Sequence, residues 1–297
     1  MSRQKQERRV ARLFALPALA GLFCFVLLPF VLAVILSLTN LRLGSPLPIE
    51  YTGIEQYRRI FSDSAFLHAL TNNMLFALMV VPAQTGLALL LALAINQPLK
   101  GRVAFRTLFF MPVVFPLSLV SVVWILLLAP GSQGLFNHVL ESLSFGHWEP
   151  VDFLHDSTWA LPAIALTSIW QGVGFQMIVF LAALQSIPQE LYQAASVDGA
   201  NKRQQFLYIT LPQLRNALVF VVLVTTVLTF RLFDQVQIMT QGGPQHATTT
   251  VMYEAVTTAF ASQQVARGAA ITVVFFSIVL LLTVLQRTFL KQQREVE

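Results

Sequence analysis

Few side chains in this sequence are equipped to do chemistry, and those that are stand among apolar neighbours. The run TTVLTFRLFD places Arg231 three residues before Asp234, on one helical face if the helix continues. Such a couple can close on itself as an ion pair, or it can offer a cation and a carboxylate to a polar solute. The sequence leaves both open. A second set, Trp170, Gln171, Gly172 and Gln176 together with Thr229, supplies an aromatic face, amides and a hydroxyl, the partners a sugar requires. Packing between helices is the competing role for Trp170, and a phosphate is the competing partner for Arg231, whose guanidinium suits bidentate anion contacts. A third set, His138, His147 and His155 with Glu141 and Asp152, lacks the tight ligand spacing of a metal centre, so no metal is predicted. No nucleophile, base and orienting group stand at catalytic spacing, and no catalytic residue is assigned.

The elements that must position these groups are apolar helices. The chain has 297 residues, of which 56% are hydrophobic and only 11% charged, with 24 Phe. A soluble domain carries about 25% charged residues, and the deficit makes lipid the solvent for much of the surface. Six segments reach the length of about 20 apolar residues that a membrane-crossing helix needs: Leu13–Leu38, Met74–Ile95, Phe105–Ala129, Trp159–Leu184, Ala217–Phe233 and Ala269–Phe289. The expected fold is all-α, a polytopic integral membrane protein with six transmembrane helices. Prolines at 29, 82, 112, 116 and 162 fall inside these runs and are expected as tolerated kinks. The single cysteine, Cys24, reads as a small buried hydrophobe.

The basic residues set a direction. Arg3, Lys5, Arg8, Arg9 and Arg12 precede the first segment; Lys100, Arg102 and Arg106 follow the second. Lys202, Arg203 and Arg215 precede the fifth, and Arg287, Lys291 and Arg294 close the chain. The alternate loops hold only Arg42, Arg58, Arg59 and Arg267. This bias predicts both termini in the cytoplasm, in the inner (plasma) membrane, with tails 1–12 and 290–297 flanking a six-helix region 13–289. The net charge of +5 is spread over segment ends, a placement that fits membrane topology and not nucleic acid. The first apolar run, about 26 residues, exceeds the 7–15 of a signal-peptide core and is expected to stay as a span.

One polar interruption, QAASVDGANKRQQFLYITLP (193–212), lies on the predicted cytoplasmic face. Pro188 and QELYQAASV predict a short helix, Gly199 a stop in the left-handed region, and residues from about Asn201 a second helix entering the fifth span. The stretch resembles the signature loop of permease subunits of ATP-binding-cassette importers, E-A-A, then D-G-A, then a hydrophobic stretch ending in L-P. Ala194, Ala195, Asp198, Gly199, Ala200, Phe206, Ile209, Leu211 and Pro212 stand in that pattern. Its leading Glu is Gln193 here, and an exposed ion pair lost at that place is worth about 0–1 kcal/mol. The resemblance implies a type I importer permease fold and a coupling helix from Glu190 to about Val197. That helix, with Lys202 and Arg203 beyond the corner, would meet a separate ATPase dimer.

A second stretch, TQGGPQHATTTVMYEAVTTAF, resembles the carbohydrate-uptake branch of that family, the permeases for maltose-like oligosaccharides and for glycerol phosphate. ALQSIP at 183–188 is similar to the same branch. The resemblance implies passage of a sugar or sugar-like polyol, a second permease subunit and an extracytoplasmic solute-binding protein. Glycerol phosphate or another polar solute is the alternative, and an ion-driven secondary transporter the more distant one. The chain has no G-x-x-x-x-G-K-[ST] phosphate loop, so it binds no cofactor of its own in this reading; ATP and Mg belong to the partner.

Overall fold

The computed structural model describes residues 14–97, 100–131 and 134–291, and these fold into helices. The expected N-terminal tail 1–12, Leu13 and residues 292–297 lie outside the described residues. The described chain divides into two compact units. One is formed by the chain up to Asp63 with Glu254–Ser277, the other by Ser64–Tyr253 with the chain from Ile278 onward.

In the first unit, helix α1 covers Phe14–Ser37 and includes a π-helical turn at Phe23–Leu27. Its most apolar stretch buries no residue within the chain. Cys24, expected to be buried, is therefore exposed on this helix. The sequence shows that a run is greasy; it does not show that the grease faces lipid or another subunit. A short helix α2, Glu55–Phe61, follows, with Ile60 fully buried. The loop after α1 is laced to the loop before the last helix: the Ala266 N–H donates to Leu41 O at 3.0 Å, and the Leu43 N–H to Gln263 O at 2.9 Å. Arg267 forms an ion pair with Asp63 beside these bonds.

The second unit is built on α3, Ser64–Asn96, which starts ten residues before the predicted span. Here the early residues FLHAL are helical because Phe66 and Ala69 are fully buried, and tertiary packing extends the helix past its apolar run. The predicted third span is two helices, α4 (Arg102–Val114) and α5 (Leu117–Leu127), bent by 102°. Pro116 is the cause: it pushes Phe115 out of the helical region to φ −82, ψ 140. Pro82 and Pro112 stay inside helices, whereas Pro116 breaks one. A short helix α6, Leu135–Leu143, crosses the third loop. It is held by Asn137, which is fully buried, donates to Ala129 O and Val151 O, and accepts from the Val151 N–H.

Helix α7, Ala160–Gln185, agrees with the predicted fourth span and is the most enclosed. It is followed by α8 (Gln189–Val197), α9 (Lys202–Gln213) and α10 (Arg215–Phe230), the last two bent by 62°. Helix α11, Asp234–Met239, and α12, Val251–Val256, lead to the final helix α13, Val265–Lys291. Four helices (α1, α3, α7, α13) are each long and apolar enough to cross a membrane, and the two bent pairs raise the number to six. Two apolar clusters hold the second unit. One includes Phe76, Trp124, Ile164 and Val236; the other includes Ala92, Met177, Phe180 and Leu214. Helices α7 and α4 approach backbone to backbone at Gly174, where a Cβ would stand 2.0 Å from Phe109 O.

Candidate functional site

The polar residues singled out in the sequence assemble in two places within the second unit. The first is a cleft of about 300 Å³ between α3, α5, α7 and the α10–α11 junction. This volume lies at the lower end of the range for small-molecule sites. Gln171, Gly172, Thr229, Arg231 and Asp234 all line it. Thr229 is buried, and its hydroxyl donates to Thr226 O.

The prediction that Arg231 lies within a continuous span is corrected. Helix α10 ends at Phe230, Arg231 is its C-cap, and Phe233 sits at φ −139, ψ −58 before α11 begins. The same-face relation of Arg231 and Asp234 therefore fails. Among the described residues no ion pair joins them, and both are exposed at the cleft.

The break is stabilised by a residue that sequence reasoning missed. Asn73 on α3 is fully buried. Its Nδ2 faces Thr229 O and Phe230 O at 3.5 and 3.4 Å, while its Oδ1 accepts from the Val251 N–H at 2.8 Å. The last carbonyls of a helix need such partners. The Thr250 hydroxyl donates to Leu232 O at 2.7 Å and fixes the next residue of the break. The G-G-P and T-T-T residues build the adjoining loop. Gly242 has φ +82, and a Cβ there would meet Tyr253 and Thr249 at 2.8 and 2.9 Å. Thr248 and Thr249 donate to Gly243 O and Gly242 O.

Two of the predicted residues stand away from the cleft wall. Gln176 is buried and donates through Nε2 to Thr225 Oγ1, joining α7 to α10. Trp170 packs edge-on against Trp124 with ring centres 5.7 Å apart, as its packing alternative required, although 43% of it stays exposed. The cleft also recruits Gln84, Ser168 and Gln235. Ser168 donates to Gln235 Oε1 at 2.7 Å, and Gln235 Nε2 is buried without a hydrogen-bond partner. Gln84 approaches Gly172 so closely that a Cβ on Gly172 would stand 2.3 Å from Gln84 Nε2. A polar side chain inside an apolar run marked Gln171, and the same signal marks Gln84.

The second place is a knob formed by α8, the Gly199 corner and the start of α9. Gly199 takes φ +79. Its N–H donates to Ser196 O at 3.2 Å and the Ala200 N–H to Ala195 O at 2.9 Å, the paired bonds of a Schellman stop. Asn201 then opens α9 with a capping box, its side chain accepting from the Gln204 N–H while the Gln204 side chain accepts from the Asn201 N–H. Glu190, Gln193, Ala194, Asp198, Gly199, Lys202 and Arg203 are exposed, and Ala195 and Ala200 are half-buried. Tyr192 bonds across to Thr210 at 2.9 Å, and Gln205 donates to Ser196 Oγ, so the two helices form one rigid corner. Ile187 and Leu214, at its base, belong to the apolar cluster of α3 and α7. In the third loop His155 bonds to Asp152, and among the described residues no three His, Cys, Asp or Glu side chains are grouped to hold a metal.

Apolar helices long enough to cross a membrane, with a polar cleft and an exposed polar knob in the second unit, define a polytopic membrane protein. Residues 84–295 match the family of binding-protein-dependent transport system inner membrane components, and the chain belongs to that family. It is a permease component of a transport system, placed in the inner membrane. It is 33% identical over 292 residues to the probable ABC transporter permease protein YurN of Bacillus subtilis, covering 98% of this chain and 99% of that protein. It is also 33% identical over 277 residues to the sulfoquinovosyl glycerol transport system permease protein SmoG of Agrobacterium fabrum, covering 93% and 89%. Its fold matches the crystal structure of a bacterial alginate ABC transporter in complex with an alginate pentasaccharide-bound periplasmic protein. The TM-score is 0.84 at 21% identity, over 100% of this chain and 99% of that one.

Proposed function

We propose that this chain carries a sugar or sugar-like polyol inward by alternating access, driven by a separate ATPase. The observation that carries the reading is the knob at 189–210: exposed on its outer side, stiffened by a Schellman stop and a capping box, and rooted in the apolar cluster of the spans. A push on α8 passes into α7 and α10 through Ile187 and Leu214. Two-state elements of this kind are biased by nucleotide binding in a partner. The partner ATPase dimer binds ATP and Mg; this chain lends Glu190, Gln193, Asp198, Lys202 and Arg203 to the contact. A second permease completes the route, and an extracytoplasmic solute-binding protein delivers the solute. Both termini lie in the cytoplasm, by the bias of basic residues.

The cleft supports the choice of solute class. It combines the amides of Gln84 and Gln171, the hydroxyls of Ser168 and Thr229, and a charged group of each sign. SmoG, by its name, serves sulfoquinovosyl glycerol, and the alginate transporter was crystallised with a saccharide-bound periplasmic protein; both solutes carry acid groups, so these two proteins speak for a saccharide and not for its charge. Affinity purification of the tagged chain tests the reading. An ATPase copurifies, and its loss abolishes uptake. Uptake that survives without any ATPase and collapses with the proton gradient overturns it.

A further inference from the structure

We infer that Arg231 and Asp234 are a split pair, held apart by the α10–α11 break so that one donates to and the other accepts from neighbouring hydroxyls of an uncharged sugar. The inference rests on the proposed transport of a sugar and assigns the selectivity of that same cleft.

Three observations carry it. A guanidinium and a carboxylate three residues apart on a continuous helix would pair. Here the helix stops between them, and the stop is enforced by Asn73 and Thr250 acting on the carbonyls of Thr229, Phe230 and Leu232. Both charged groups consequently reach the cleft with no ion pair among the described residues. Secondly, Gln235 lines the same wall; its Nε2 is buried just behind the surface and has no partner among the described residues, while Ser168 holds its other amide atom. A buried donor without an acceptor is costly unless a ligand supplies one. Thirdly, this wall carries one charge of each sign. An anionic solute drawn to Arg231 meets the Asp234 carboxylate on the same wall, and a cationic solute meets Arg231. A neutral hydroxyl, both donor and acceptor, satisfies either group without repulsion.

The test uses the purified full-length chain with whatever subunits copurify, and measures its thermal stabilisation by a fixed panel of probes. Lactose, maltose and trehalose are the neutral probes, glucuronate and glycerol 3-phosphate the anionic ones. At least one neutral sugar stabilises the protein, and its apparent affinity falls at least about tenfold in Arg231→Gln and in Asp234→Asn. Asp234→Asn, with Arg231 left uncompensated, gains response to glucuronate or glycerol 3-phosphate, a change of charge preference that a merely structural residue would not produce. The inference is overturned if no neutral sugar stabilises the wild type, if only the anions do, or if Asp234→Asn leaves charge preference unchanged. A copurifying ATPase together with an anion-only response would keep the transport reading and sink this one.

Discussion

The Gly199 corner offers a perturbation whose size follows from geometry. At φ +79 an L-residue bears the left-handed penalty of about 1–2 kcal/mol. No heavy atom lies within 4 Å of the position a Cβ would take, so steric volume contributes nothing. The alternative to bearing the strain is to open the corner, at the loss of the Gly199–Ser196 and Ala200–Ala195 bonds, each worth about 0.5–1.5 kcal/mol. Opening therefore costs about 1–3 kcal/mol, and bearing the strain, at about 1–2 kcal/mol, is a factor of roughly 5–30 in the ratio of formed to unformed corner. A nine-residue helix such as α8 is marginal alone, so this ratio governs docking. Gly199→Val is expected to weaken binding of the ATPase by up to that factor, with membrane insertion intact and uptake reduced relative to ATP hydrolysis. Gly199→Asn, a residue that tolerates the left-handed region, retains most of both. Titration of the ATPase against the chain in nanodiscs, with uptake and hydrolysis in proteoliposomes, reads the effect. Wild-type coupling in Gly199→Val, or equal damage from Asn and Val, refutes the reasoning.

Other glycines fail for a different reason and give contrasting outcomes. Gly174→Ala forces a Cβ onto the backbone of Phe109, which cannot yield; overpacking of about 1–3 kcal/mol should lower the melting temperature of the detergent-purified protein. Gly172→Ala meets the flexible Gln84 side chain, so melting should be unchanged while transport falls through a narrowed cleft, measured as initial uptake rate. Asn73→Leu strands the buried Val251 N–H, a loss of about 1–3 kcal/mol, visible as a lower melting temperature and as proteolysis of the 241–250 loop.

The span positions and the knob were legible because they depend on local chemistry. Apolar run length located α1, α7 and α13, and the order Pro188, Gly199, Asn201 spelled out helix, corner and helix. What could not be read were features decided by neighbours. Nothing near Phe66 announces that α3 begins at Ser64; burial of residues distant in sequence decides it. Pro116 and Pro112 look alike in sequence, yet only Pro116 breaks its helix. Arg231 and Asp234 were found by charge, but their separation depends on Asn73, 156 residues before the Thr229 carbonyl it reaches. Cys24 looked buried because its neighbours are apolar, and apolarity does not distinguish a core from a lipid-facing surface.

Helix α3 touches both functional places. Near one end Ala92 and Ile95 share a cluster with Ile187 and Leu214; near the other, Asn72 and Asn73 grip the 246–251 loop and the end of α10. From Asn73 to Ile95 the helix measures about 33 Å at about 1.5 Å per residue. A rod of that length does not telescope, so any displacement of its Ile95 end, by sliding or by tilting, would carry Asn73 and the loop it holds along with it, like a crank on a shaft.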